Sequence, residues 1–133
     1  MALLDDLGTY VDTNTSLTLG TDLFLSLMPD TPDNVVALYE STGGVVPVST
    51  MGSTNLPQIE RPELQVIVRN TSYSTGRTLA NTLWELLTAV SNTTIESTLY
   101  HRIESTSSPF VFDRDDSRRV LFSCNFNVMK ELG

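Results

Sequence analysis

The chain has 133 residues, 40% of them hydrophobic, and its 16 acidic and 8 basic side chains give a formal net charge of −8. This length predicts one domain, residues 1–133, with a single core. The negative charge repels phosphate backbones and anionic membrane surfaces, which argues against nucleic-acid binding and membrane association.

Cys124 is the single cysteine, so neither an internal disulfide nor a cysteine-rich zinc site can form within the chain. It lies in the alternating segment SCNFNV, where we expect a small buried apolar side chain. The first residues, MALLDDLGTYVD, lack a basic region and carry aspartates where a signal peptide would be apolar. We therefore expect synthesis in a reducing cytosol.

The first predicted element is a short amphipathic helix, because Leu3, Leu7 and Val11 recur at helical spacing. Two apolar runs follow, Leu23–Met28 and Val35–Tyr39, and the sequence PDTPD stands between them. Two prolines and two aspartates in five residues are a strong turn signal. We therefore predict two strands that are antiparallel neighbours.

Residues 41–62 contain three glycines and three prolines and show little periodicity. The segment predicts a long loop. Loops of this length are often functional or become ordered on a partner. A plain connection is the alternative, and the sequence leaves both readings open.

The next strand is predicted over residues 63–70, ELQVIVRN, where the side chains alternate between two faces. A helix follows, with Ser74 or Thr75 as the predicted cap and an apolar stripe from Leu79 to Val90. Two more strands are predicted over residues 95–106 and 120–129, joined by a hairpin connection, SSPFVFDRDDSRR. This order predicts an α+β domain with a mostly antiparallel sheet of about five strands and two helices packed on one face.

Catalytic patterns are weak in this sequence. His101 is the only histidine, and it falls within a predicted strand, where a structural role is favoured because a catalytic site needs convergent groups. No G-x-S-x-G nucleophile elbow and no glycine-rich phosphate loop is present. We therefore predict no catalytic residue and no cofactor.

The acidic and basic cluster DRDDSRR, from Asp113 to Arg119, raises the question of a metal site. It fails the EF-hand pattern, because the sixth position is Arg118 and the twelfth is Cys124. Carboxylates of this cluster could join Glu60 or Glu63 around a divalent ion, so a carboxylate-dependent metal hydrolase remains the less favoured alternative. The neighbouring arginines would compete with the cation, and we predict no metal site.

Four blocks occur in order along most of the chain. They are D-L-F…M-P-D-x-P-D, V-x-L-Y-E…G-G, P-x-L-Q-V-x-V-R and P-F…D-R-D-x-x-R-R-x-x-F-S-x-N-F-x-V. In this order they resemble the minor capsid or tail-terminator family of long-tailed bacteriophages. The resemblance also leads us to expect a glycine-containing turn where this chain has DDSR.

The resemblance implies a structural virion protein without enzymatic activity, made in the host cytoplasm and located in the tail or neck. It implies a ring, a hexamer, that caps the tail tube, ends tube polymerisation and joins the tail to a head-completion or neck protein. DNA would pass through the lumen without specific binding. A head-completion or neck protein, or a tail-tube-like subunit, is the alternative within the virion.

A closed ring needs two different, complementary surfaces on each subunit. Exposed arginines on one surface could meet carboxylates on the other, which sets register and specificity. An ordinary solvated surface charge is the alternative for each of these residues. The residues predicted at subunit or partner interfaces are Arg61, Arg69, Asp113, Asp115, Asp116, Arg118 and Arg119.

Overall fold

The computed structural model describes residues 3–40, 45–48 and 59–131, without the side chains of residues 45–48. The described residues form two helices and nine strands. The helices are α1 (Leu3–Asn14) and α2 (Tyr73–Thr88). The strands are β1 (Leu23–Leu25), β2 (Val35–Glu40), β3 (Val45–Val48), β4 (Ile59–Arg61), β5 (Glu63–Asn70), β6 (Ser91–Ile95), β7 (Thr98–Ser105), β8 (Phe110–Arg114) and β9 (Val120–Glu131).

The longest strand, β9, organises the sheet because it is paired along both edges. One edge pairs with β5 and then β4, and the other pairs with β8 and then β7. The path β1-β2-β5-β9-β4-β3 continues across the sheet, and β6 joins through β7. The pairing partner on each edge changes along the length of β9, and the sheet curls into a half-barrel.

The predicted fold class is wrong in two respects. The structure is mostly β, with many more than five strands, and the sheet is mixed because β1 runs parallel to β2. The prediction of antiparallel neighbours failed because Ser26, with φ 61°, ends the strand early. Residues 26–34 then return the chain to the level of the first residue of β1. Strand β2 therefore starts beside the start of β1 and runs parallel to it.

Further strands lie in segments that were predicted as connections. The predicted loop over residues 41–62 includes β3 and β4, while residues 41–44 and 49–58 lie outside the described part of the chain. The strand predicted over residues 95–106 is present as β7, and a further strand, β6, precedes it and pairs with it across a turn at Glu96 and Ser97, both with positive φ. Short strands next to turn residues have too few alternating positions to be recognised from sequence.

The predicted strands over residues 63–70 and 120–129 are confirmed, and their register explains the core. Leu64, Val66 and Val68 of β5 stand opposite Phe126, Cys124 and Phe122 of β9, and all six are buried. Residues that stand opposite each other share a face of the sheet. This face therefore forms a continuous apolar layer.

Helix α2 covers that layer through the predicted apolar stripe, with Ala80, Leu83 and Leu87 fully buried. Its N-cap is Ser72, whose hydroxyl accepts from the Thr75 N–H, so the cap predicted at Ser74 or Thr75 lies two or three residues too late. Gly76 permits the close approach, because a Cβ there would lie 2.5 Å from Cε1 of Phe122.

Helix α1 lies on the same face. A Cβ added at Gly8 would lie 2.8 Å from Cδ2 of Leu25, and Leu25 stands opposite Leu38 in the same layer as Val66. The helix buries Asp6 in the core, where its Oδ2 accepts a 2.9 Å hydrogen bond from the Tyr100 hydroxyl. Burial, together with this bond, raises the pKa of Tyr100, so the hydroxyl keeps its proton and donates.

Candidate interaction surfaces

The segment Asp113–Arg119 comprises the last two residues of β8 and the closed turn that leads to β9, and we call it the charged turn. Asp115 organises it: its Oδ1 accepts from the N–H groups of Ser117 and Arg119 at 3.0 and 2.9 Å. Its backbone N–H and C=O also pair with Arg119 and Arg118. Arg118 has φ 64°, the left-handed region that favours glycine, and this is the turn where a glycine was expected.

Arg119 points inward from the charged turn and is only 5% exposed. Its Nε donates to Asp115 Oδ2 at 2.6 Å, and its Nη2 donates to Asp30 Oδ1 at 2.8 Å. Its Nη1 donates to the Asp30 carbonyl at 2.6 Å and lies 3.3 Å from Asp33 Oδ1. The guanidinium therefore joins the charged turn to the PDTPD segment, which is about 85 residues earlier in the chain.

Arg69, at the end of β5, holds the same segment through its backbone. Its Nη2 donates to the carbonyls of Pro29 and Pro32, both at 2.7 Å, and to that of Asp30 at 3.3 Å; its Nε donates to Asp33 at 3.0 Å. Arg69 is also 5% exposed. We call Arg69, Arg119 and the segment Pro29–Asp33 the arginine clamp.

Two buried cations close together need compensating charge, and the aspartates supply it. Burial and the charge of Arg119 lower the pKa of Arg69, while the nearby aspartates oppose this. The hydrogen bond to Asp30 is the main cause that raises the pKa of Arg119. Burial alone would raise the pKa of Asp115, but the hydrogen bonds from Arg119 and Ser117 lower it below its ordinary value.

The predicted interface residues at this end of β9 therefore fall into two groups. Asp113, Asp116 and Arg118 are exposed at the surface of the charged turn. Arg69 and Arg119 donate hydrogen bonds to groups of the same chain, and Asp115 is half-buried beside Arg119. That any of them contacts a partner stays a prediction.

Arg61 lies elsewhere, at the opposite end of β9. It lines a groove of about 250 Å³ on the sheet face away from the helices, together with Glu63, Arg102, Glu104, Asn127, Val128 and Met129. Arg102 and Glu104 form an exposed ion pair at 3.2 Å. The charged turn is roughly 30 Å away along the strand, so the structure does not bring Arg61 together with the other predicted residues.

Phe110, Val111 and Phe112 of β8 are consecutive large apolar residues at the surface, 42%, 42% and 47% exposed. We call these three residues the hydrophobic arm. Every residue of β8 is exposed. Contiguous exposed apolar residues mark interaction sites in soluble proteins more often than isolated ones do.

Sequence reasoning missed both this arm and the acceptors of the arginine clamp. The sequence pattern placed the arm in a hairpin connection. Three consecutive apolar residues in such a connection are nevertheless a usable signal of an interaction surface. Asp30 and Asp33 were read as turn residues only. Their pairing with Arg119 crosses 86 to 89 residues, and no local pattern encodes such a pairing.

The other residues considered for chemistry are Cys124, His101 and the possible metal ligands. Cys124 is fully buried, as expected, and burial raises the pKa of its thiol to about 12, so the thiolate is scarce at neutral pH. His101 lies in β7, as expected, and its Nε2 is buried with no hydrogen-bond partner among the described residues. Within residues 3–40 and 59–131, no cluster of three possible metal ligands occurs.

Comparison with known families gives one match. The sequence model of a family described as bacteriophage tail terminator protein matches residues 10–132, which is most of the chain. No curated protein matches the chain. Neither of the two described helices is long and apolar enough to cross a membrane.

Proposed function

We propose, from the premise that this chain belongs to the bacteriophage tail terminator family, that it forms a hexameric ring which caps the tail tube. Membership makes it a structural protein of the phage tail, in a family of virion proteins not known as enzymes. In the proposed role the ring ends tube polymerisation and joins the tail to a head-completion or neck protein. The family match over residues 10–132 carries this proposal.

The surface of the subunit supports an assembling role. A chain that remained alone would gain nothing from exposing the hydrophobic arm, whereas a subunit surface buries such residues against a neighbour. The arm continues directly into the charged turn, so apolar contact and charge lie side by side. This combination suits an interface with an apolar centre and a polar rim.

The charge suits a passage for DNA. Six copies would carry 6 × (−8) = −48 formal charges. An acidic lumen would repel phosphates and let DNA pass without specific binding, because affinity for the DNA backbone depends on cationic side chains.

At the level of residues, we assign two roles to the predicted interface set. Asp113, Asp116 and Arg118 contact the neighbouring subunit or partner from the charged turn, and Arg61 does so from the groove at the other end of β9. The remaining three, Arg69, Arg119 and Asp115, are positioning residues that hold the turn in place. Charges at the rim of an interface, the role assigned to Asp113, Asp116, Arg118 and Arg61, set register and association rate more than affinity.

The test of the ring uses purified chain and tail tubes. We expect electron microscopy of tubes with added chain to show one six-fold ring at one end of each tube, and tube lengths to stop increasing. A chain that binds no tube end and leaves tube growth unchanged would refute the proposal. A ring found in the neck, with tube ends bare, would instead favour the head-completion alternative.

Arg118→Glu tests the residue assignment, because Arg118 is exposed and its side chain is outside the arginine clamp. We expect the variant to stay folded and to cap tubes at least about tenfold more slowly at low salt, with the difference shrinking at high salt. Glu96→Lys, at an exposed turn elsewhere, is a charge-reversal control that changes the net charge by the same two units with the opposite sign. Equal capping by the two variants and the native chain would remove Arg118 from the interface.

A further inference from the structure

Strand β8, which carries the hydrophobic arm, has one paired edge. Among the described strands it pairs only with β9. Alternate backbone N–H groups along a strand point to opposite sides, so the free edge of β8 presents donors next to apolar side chains. Residues 105–112 contain no charged side chain, although 18% of the chain is charged.

A groove on the helical side of the molecule complements the hydrophobic arm, because it too lacks charged side chains. It has a volume of about 610 Å³ and is lined by Asn14, Thr15, Ser16, Leu17, Ser74, Thr75, Thr78, Leu79 and Thr82. We call it the hydroxyl groove, and none of its lining residues is charged. Leu17 and Leu79 supply its apolar part.

The hydroxyls of this groove are arranged to accept hydrogen bonds. Those of Thr15, Thr78 and Thr82 donate to the carbonyls of Val11, Ser74 and Thr78 at 2.7, 3.0 and 2.9 Å. A hydroxyl has one proton to donate and two lone pairs. With the proton committed, these oxygens can only accept, and although Thr15 Oγ1 already accepts from the Leu17 N–H at 3.1 Å, each oxygen has two lone pairs. Their remaining lone pairs complement the N–H groups on the free edge of β8.

The arm and the groove lie on opposite flanks of α2. Arg77 Nη1 donates to the Pro109 carbonyl at 2.7 Å and Trp84 Nε1 to Ser105 Oγ at 2.6 Å, so this flank faces the root of the arm. Thr75 and Thr82 face the groove. At 3.6 residues per turn, Thr75 and Arg77 are about 200° apart on the helix. A subunit's arm therefore points away from its own groove.

We propose that the hydrophobic arm of one subunit docks in the hydroxyl groove of the next copy of this chain. The inference rests on the proposed ring and names the two surfaces that build it. Two different surfaces on opposite flanks give a head-to-tail contact, and repetition of that contact closes a ring when the rotation closes. The absence of charge on both surfaces matters because each subunit carries −8, and uncharged surfaces can meet without like-charge repulsion at the contact.

The experiment places cysteines on the two surfaces of the full chain. A double variant, Ser108→Cys with Thr78→Cys, keeps all three side chains of the hydrophobic arm, because Ser108 is exposed and lies two residues before Phe110. The variant is assembled on tail tubes and treated with a short bis-maleimide crosslinker. Native Cys124 is fully buried and does not compete. We expect a ladder of covalent oligomers on a denaturing gel, because each subunit is linked to the next. Ser108→Cys alone and Thr78→Cys alone should give no ladder and no dimer.

The controls separate this inference from the proposed function. Leu27→Cys with Thr78→Cys uses an apolar residue outside the arm, 61% exposed, and should give no ladder. Dimers from Ser108→Cys alone would show that arms meet arms, and an equal ladder from the Leu27 pair would show a contact without specificity; either result overturns the inference. Correctly capped tubes without a crosslink would overturn the inference and leave the ring proposal standing, whereas failure of the native chain to cap tubes defeats the ring proposal itself.

Discussion

Two neighbouring regions of the hairpin β8–β9 invert the usual relation between polarity and burial. The apolar residues Phe110, Val111 and Phe112 are exposed, whereas the charged residue Arg119 in the adjoining turn is 5% exposed. Only a few residues of chain separate them. Residue type alone therefore does not decide which side chain faces water here.

The difference lies in what each region contacts. Arg119 finds the carboxylates of Asp30 and Asp115 and a carbonyl, so its burial is compensated by charge-assisted hydrogen bonds. The hydrophobic arm, in contrast, keeps 42–47% of the surface of its side chains in water. The clamp thus stabilises one subunit, and the arm is available to a second one.

Breaking the clamp should have a large effect on folding. Arg69→Met keeps the length of the side chain but removes the donor that serves four carbonyls of the PDTPD segment. We expect a loss of about 3 kcal/mol in the free energy of unfolding, since bonds to a charged donor contribute about 1.5–3 kcal/mol each and the freed carbonyls can regain water. Denaturant unfolding followed by circular dichroism measures it.

The matched control for that variant is Arg102→Met, on the exposed sheet face. Its ion pair with Glu104 is half exposed on both sides, so we expect a change under about 1 kcal/mol. Equal losses in the two variants would mean that the clamp contributes no more than a surface pair.

A smaller effect, of opposite sign, is expected at Arg118. Arg118→Gly should raise the free energy of unfolding by about 1 kcal/mol, because a left-handed backbone is strained for an L-residue and open to glycine. Arg114→Gly, in the strand β8 just before, should lower it, because glycine weakens a strand interior. A loss of stability in Arg118→Gly would contradict the backbone argument.

The arginine clamp should also make the free energy of unfolding depend on pH in the acidic range. The pKa of Asp115 in the folded chain lies below its ordinary value, so its contribution is fully present above that ordinary value and is lost as pH falls through the lowered pKa. Asp115→Asn should therefore be less stable than the native chain near neutral pH, and the gap should close in acid. A gap that is independent of pH would exclude this linkage; Asp116→Asn, exposed in the same turn, is the control.

The smallest effect on folding is expected in the arm. Phe112→Ser should change the free energy of unfolding by less than about 1 kcal/mol, because about half of the side chain is already in water. The same variant should reduce tube capping at least about tenfold. Phe122→Ala, the buried phenylalanine of the same hairpin, should cost about 3–5 kcal/mol. A large loss of stability in Phe112→Ser would mean that the arm is part of the subunit core.

Long periodic segments were predicted well, and the reason is physical. The stripe of α2 and the alternation in β5 and β9 repeat over enough residues to define a face, and that face is buried as expected. Strands of three to five residues, such as β3, β4 and β8, repeat too few times. Their existence depends on a neighbouring strand with unpaired backbone groups.

The candidate interface was only partly accessible from sequence. The exposure of Asp113, Asp116 and Arg118 in a turn follows from their polarity and local context. The burial of Arg69 and Arg119 does not, because an arginine at a turn is usually solvated and only distant aspartates and carbonyls make burial favourable.

The sequence by itself determined the acidic charge, the buried cysteine strand, the main helix and the order of blocks that points to the tail terminator family. Each of these depends on residue counts, on local periodicity or on linear order. Tertiary structure decided that the sheet is mixed and curled, that two arginines clamp the PDTPD segment, and that the arm and the hydroxyl groove lie on opposite flanks of α2. These features depend on contacts between residues far apart in the chain, whose energies no local window of sequence contains.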